Sequence, residues 1–238
     1  MRIQMRITAG ALLLLTVFSI KSALVPLHWW LPPAYGSTSP PAAALFAIMS
    51  KVGIYSIIRV YTLIFGAGAG PLADVATPWV LPAGILTLAL GTIGVLASRL
   101  VLDLVCYSLI ASMGTLLIAV GLASAAGLAA ALYYAVQSTV ASAGLFLLGG
   151  LLAPEKGSRA AFAWFPQYAN VFAGFFFLLA IATIGMPPLA GFFGKLLILD
   201  AAREAFIAAT VWPAILITSL LLIPGFARPG IQLFWPPS

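Results

Sequence analysis

Three lysines, Lys21, Lys51 and Lys195, stand inside otherwise apolar stretches, and two of them lie beside prolines. Lys21 follows fourteen uncharged, mostly apolar residues (7–20) and precedes Pro26, His28 and the pair Trp29-Trp30. In a span over 7–30 it would fall near the middle. A cation at bilayer depth costs roughly 2.5–3.5 kcal/mol on insertion scales, so such a lysine is a functional candidate by default. Pro26 removes a backbone donor and breaks the helix near the lysine, and carbonyls freed there need water or another partner. Lysine, broken helix and imidazole together point to a buried, hydrated proton or ion path. Two plainer readings compete. Met1 to Arg6 followed by an apolar run also looks like the start of a signal peptide, and a lysine near a span end can snorkel to the interface. Lys21 occupies the place a cleavage region would need, which weighs against the first; a midspan position leaves the second a long reach.

Lys51 lies near the centre of the run 40–66, flanked by Ser50 and Gly53, small residues that let a neighbouring helix approach. Around Lys195 the chain reads Gly185-Met-Pro187-Pro188-Leu-Ala-Gly191-Phe-Phe-Gly194-Lys195, a proline pair in mid-helix and a lysine two turns later. A continuous helix over 168–202 would be about 52 Å long at 1.5 Å per residue, well over the ~30 Å hydrocarbon core, so a break at Pro187-Pro188 is expected. Snorkelling is the alternative for Lys195, which stands only about 7.5 Å of helical rise from Asp200. Between these regions Tyr133, Tyr134, Gln137, Ser138 and Thr139 form a polar cluster inside apolar sequence. Tyr134, Gln137 and Ser138 could line a hydrated path, or the cluster could simply bond across helices.

The elements that must hold these residues are membrane helices. The 238 residues are 63 % hydrophobic and 7 % charged, with a mean hydropathy of +1.15; a soluble domain carries about 25 % charged residues. Apolar runs of about 20 residues suit spanning helices, and the alternation of a membrane barrel is absent. Seven spans are expected, at roughly 7–30, 40–66, 79–98, 101–123, 127–152, 168–202 and 206–227. The first and sixth are broken by proline, the connections are rich in Pro, Gly and Ser, and the whole chain reads as one helical bundle. Gly84, Gly91 and Gly94 in the third span read as packing positions, and Arg99 beside Asp103 as a solvated pair. The net charge of +6 comes from scattered single cations, which does not suggest nucleic acid. One cysteine, Cys106, excludes an intrachain disulfide, and one histidine leaves no metal set or Ser/His/Asp grouping, so neither cofactor nor metal is expected. Lysines and arginines divide evenly between the two sides, so orientation is not readable from charge.

The acids sharpen the problem. Asp74, Asp103, Glu155, Asp200 and Glu204 all fall in expected loops or at span ends. The three lysines therefore have no carboxylate at their own depth, and intramembrane charges usually have partners. The counter-charge should come from another polypeptide or from a part of this one beyond the sequence given.

These residues resemble a known family. Lys21…Pro26-Leu-His28-Trp-Trp30-Leu-Pro32, with Ser39-Pro-Pro41…Lys51-Val-Gly-Ile-Tyr55…Arg59, is similar to the seventh and eighth helices of the antiporter-like subunits of Mrp antiporters and respiratory complex I. Gly185 to Lys195 resembles their broken twelfth helix. The run Ser112-Met-Gly-Thr-Leu-Leu117 and the ending Ser219-Leu-Leu…Gly225-Phe-Ala-Arg228…Phe234-Trp235 look most like the D-type subunits of multisubunit cation/proton antiporters. The resemblance implies a partial antiporter-like fold covering helices seven to thirteen, and so a fragment or split subunit. It implies a midplane proton pathway. In it Lys21 would pair with a glutamate of an absent fifth helix, Lys51 would be the central relay and Lys195 the terminal lysine. His28 would be the motif histidine between the seventh and eighth helices. Family members often carry histidine around Ser112 and at the position of Gln137, and this chain does not. The implied partners are other antiporter subunits, the lipid bilayer, protons, and Na+ or K+, in a bacterial plasma membrane. A proton-pumping subunit of complex I or a related hydrogenase is the alternative within the transporter class, and a non-conducting truncated polypeptide is the alternative outside it.

Overall fold

The computed structural model describes residues 2–73, 75–152, 168–205 and 207–235. Asp74, Glu155, Lys156 and Arg159 lie outside the described residues. Nine helices follow one another in these segments: α1 (Arg2–Lys21), α2 (Leu31–Gly36), α3 (Pro40–Leu63), α4 (Thr77–Ala97), α5 (Val101–Gly121), α6 (Ala125–Leu152), α7 (Ala169–Ile184), α8 (Ala190–Glu204) and α9 (Ala208–Phe234), with a 3-10 turn over Ala67–Leu72 after α3. Six of them, α1, α3, α4, α5, α6 and α9, are long and apolar enough to cross a membrane. Where the sixth of the seven spans was expected, at 168–202, stand two shorter helices, α7 and α8, neither long enough to cross alone. The break between them falls where the prolines require, with α7 ending at Ile184 and α8 restarting at Ala190.

The first span differs from expectation. Helix α1 stops at Lys21 and does not reach Trp30, so Lys21 is the last helical residue, and it is exposed rather than buried at midspan. The cause is Pro26. Its ring would clash with the carbonyl four residues earlier, that of Ser22, and it has no N–H to donate there. The chain instead closes the helix with a left-handed cap. Ala23, at φ 51°, donates to the Ile20 carbonyl at 3.0 Å, and Leu24 donates to that of Ser19 at 3.0 Å. Trp30 Nε1 then folds back onto the Ile20 carbonyl at 2.9 Å, and the Val25 N–H bonds Thr87 Oγ1 on α4 at 3.1 Å. The last span also differs, because α9 runs seven residues beyond 227 and carries Pro213, Pro224 and Pro229 within it. Arg99 and Asp103 make no ion pair; among the described residues the pair formed is Arg203–Asp200, at 3.0 Å.

Helix α5 is the axis of the bundle. Its spanning window is 83 % buried, against 6 % for α1, and it packs on α3, α4 and α6. The α4–α5 contact is nearly backbone on backbone. A side chain at Gly91 would strike the Ala111 backbone, and one at Gly114 would strike that of Leu88. Small residues at such crossings allow close approach in a medium that gives helices no hydrophobic reason to associate. Helix α6 packs between α3 and α8, so it stands between the two helices that carry Lys51 and Lys195.

Gly114→Val is expected to destabilise the detergent-solubilised chain by about 1–3 kcal/mol, the usual cost of overpacking. Gly174→Val, at a position with open space for a Cβ, serves as the control and should change stability far less. Thermal unfolding followed by circular dichroism measures both.

Candidate functional site

The break between α7 and α8 leaves backbone carbonyls without helical partners, and two side chains meet them. Gly185 ends α7 in the left-handed conformation, at φ 81°, and its N–H and that of Met186 both bond the Ile181 carbonyl. Beyond it, Pro187 and Pro188 have no N–H to return to α7. The freed Ala182 carbonyl accepts from Gln137 Nε2 of α6 at 3.0 Å. The freed Ile184 carbonyl accepts from Lys195 Nζ at 2.7 Å, and the same ammonium donates to Ser219 Oγ of α9 at 2.8 Å. Lys195 thus reaches back from the second turn of α8 to the negative end of the α7 dipole, where a cation is favoured. The approach needs Gly185: a Cβ there would come within 2.7 Å of Lys195 Cδ. Lys195 itself is 6 % exposed.

Helix α6 supplies the wall beside this cap. Tyr134 is buried against Gly194, one residue before Lys195, and Thr115 of α5 donates to the Ala111 carbonyl of its own helix. Gln137 lies against Gly191. Ser138 is buried but bonds the Ala135 carbonyl of its own helix, as does Thr139. Ser112 bonds the Leu109 carbonyl. The polar cluster therefore divides. Gln137 bonds across helices at the break and Tyr134 packs beside it, Ser138 and Thr139 stay within α6, and Tyr133 is exposed.

The other break has a different character. Lys51 sits on the buried stripe of α3, with Ala47 one turn before and Ile54 one turn after, and is 5 % exposed. It is eleven residues from the start of a 24-residue helix. Its Nζ, the Ser22 hydroxyl and His28 Nδ1 are buried, and none has a hydrogen-bond partner among the protein groups described. Ser22 packs directly on Gly53, so the end of α1 meets α3 two residues from Lys51. Buried polar atoms are rarely left unpaired, and an ammonium has three donors to satisfy. Water or an incoming carboxylate is the chemistry that fits. Lys21 is not gathered at either break, because α1 packs chiefly on α3 and its last residue is exposed.

Ser219, Ser22 and the carbonyls of Ala182 and Ile184 belong to the two breaks, and no sequence motif singled them out as functional. The Ile184 carbonyl could have been anticipated, since Pro188 has no N–H to return to it; that of Ala182 is free because the Met186 N–H bonds Ile181 instead. Ser219 stood only in the C-terminal pattern that resembles the D-type subunits, with no role attached to it.

The profile of the NADH:quinone oxidoreductase/Mrp antiporter transmembrane family matches residues 1–222. The chain belongs to that family. A probable K(+)/H(+) antiporter D-type subunit of Rhizobium meliloti (strain 1021) is 45 % identical over 108 residues, covering 45 % of this chain and 20 % of that protein. The Na(+)/H(+) antiporter D-type subunit of Bacillus subtilis (strain 168) is 36 % identical along 96 % of this chain and 46 % of its own length. Among solved structures, the Mrp complex from Dietzia sp. DQ12-45-1b superposes with a TM-score of 0.79 at 27 % identity, over 92 % of this chain and 41 % of the matched one. Respiratory complex I from Thermus thermophilus with bound NADH gives 0.77 at 27 % identity, over 93 % and 47 %. The chain spans under half the length of these relatives.

The two buried lysines should respond oppositely to neutral replacement. Lys195→Met orphans the Ile184 carbonyl and is expected to lower stability by about 1–3 kcal/mol. Lys51→Met removes an ammonium that has no protein partner and should leave stability unchanged or raise it. Unfolding of both variants in the same detergent provides the comparison.

Proposed function

We propose that this integral membrane chain is a subunit of a multisubunit antiporter that exchanges Na+ or K+ for protons. In this reading it works with other antiporter subunits in a bacterial plasma membrane and carries part of a lysine pathway. The observation that carries the reading is the pair of buried lysines, Lys51 and Lys195, on helices either side of α6, which presents Tyr134 and Gln137 between them. The names of the relatives, D-type subunits of K(+)/H(+) and Na(+)/H(+) antiporters, support the same reading.

In this function Lys51 is the central relay and Lys195 the terminal one. A proton passes between them along water held by Tyr134, Gln137 and the buried hydroxyls of α5 and α6, without a titratable side chain at Ser112 or Gln137. His28 lies at the α1–α2 turn, with an orphaned Nδ1 that can hold the entering water. Lys21, exposed at the end of α1, is placed to meet a carboxylate supplied from outside the described residues. The chain converts no substrate chemically.

The likeness to complex I favours one second reading, a proton-pumping membrane-arm subunit. Affinity purification of the native assembly separates the two: companion antiporter subunits support the first, and quinone oxidoreductase subunits the second.

Lys51→Ala is expected to abolish cation/proton exchange in the assembled complex while leaving membrane insertion intact. Sodium- or potassium-dependent quenching of a pH-sensitive dye in everted vesicles reads the exchange. Wild-type quenching in the variant would remove Lys51 from the pathway.

A further inference from the structure

The short turn 98–100 joins two helices that cross the membrane, so it must lie at a membrane boundary. There the end of α4 and the last third of α9 enclose a cavity of about 380 Å³ that plays no part in the lysine groups. Its walls include Arg99, Arg228 and Gln232, and no acidic residue lines it. Neither arginine is in an ion pair, since the pair formed among the described residues is Arg203–Asp200. Asp103, which lines the neighbouring cavity with Arg99, directs its Oδ1 towards Gly36 of α2. Two guanidinium groups in one cavity without a counter-ion are matched to an anion, and their planar forks suit the paired oxygens of a phosphate.

The surroundings identify the source of that phosphate. Helices α4 and α9 pack side by side, and both carry exposed apolar residues from the cavity towards the middle of the membrane. Ile93 does so on α4, Leu221 and Ile217 on α9. On α9, Ile217 is eleven residues before Arg228, about 16 Å by helical rise, comparable to the depth of one lipid leaflet. A charged cavity at the boundary continued by an apolar face has the shape of a phospholipid, with head and tails in the right order.

We propose that Arg99 and Arg228 bind the phosphate headgroup of an anionic phospholipid, with its acyl chains along the α4–α9 face. The site is independent of transport and of the lysines, and it stands whichever complex the chain belongs to.

The test is native mass spectrometry of the full chain in detergent. It is titrated with phosphatidylglycerol or with phosphatidylcholine of the same acyl chains. Phosphatidylglycerol is expected to bind about 30-fold more tightly, as two interfacial arginines allow. Arg99→Gln/Arg228→Gln should abolish that preference while leaving phosphatidylcholine adducts and helical circular dichroism unchanged. Both arginines are exposed, so if the double variant does not fold, either single variant, expected to lose about fivefold, serves instead. Equal binding of the two lipids by the wild type, or an undiminished preference in the variants, overturns the proposal. Displacement of phosphatidylglycerol by excess inorganic phosphate alone would mark a free-anion site and overturn it as well.

Discussion

A backbone carbonyl released by a proline inside a membrane has no water to fall back on, and in this bundle the released carbonyls at the α7–α8 break decide where the polar side chains go. The Ile184 carbonyl holds Lys195, and the Ala182 carbonyl holds Gln137. Through Lys195 the break is tied to Ser219 on α9, and through Gln137 to α6. The lysine is therefore part of the structure of the break, whatever proton it carries in the proposed pathway. It fills a position the broken helix creates, and it carries a proton-bearing group into an interior that would otherwise reject it. Gly185, Gly191 and Gly194 follow from the same requirement, since each keeps space for a partner of the break.

The break after α1 solves its problem without a lysine. Its cap satisfies the Ser19 and Ile20 carbonyls from the chain's own N–H groups and from Trp30. What remains unpaired there are side chains, Ser22, His28 and Lys51. One lysine of the bundle is thus held by protein atoms, while the other is buried without a protein partner.

Much of this was legible in the sequence. Composition alone requires membrane helices, and the proline pair at 187–188 locates the second break to within a few residues. The depth of Lys51 follows from the run that surrounds it, and Gly91 reads as packing because the third span offers nothing else. Lys21 was misplaced for a definable reason. The break before Pro26 was expected, but the apolar run was carried through it to Trp30, which set the lysine at midspan, whereas the helix ends at Lys21 itself. The Lys195–Ser219 bond was invisible for another reason. It joins residues 24 apart on different helices, and an isolated serine in an apolar run carries no address. The Arg99–Asp103 pair failed because neighbours one helical turn apart at a helix start need not point at each other.

The account rests on the ammonium of Lys195 capping the broken end of α7, and a distance measures it directly. With ¹³C at the Ile184 carbonyl and ¹⁵N at lysine Nζ, dipolar recoupling by solid-state NMR in lipid bilayers reports their separation. A hydrogen bond between the two groups places carbon and nitrogen about 4 Å apart, and that coupling is the expected result. Absence of coupling between them, with α7 and α8 otherwise intact, would contradict the account.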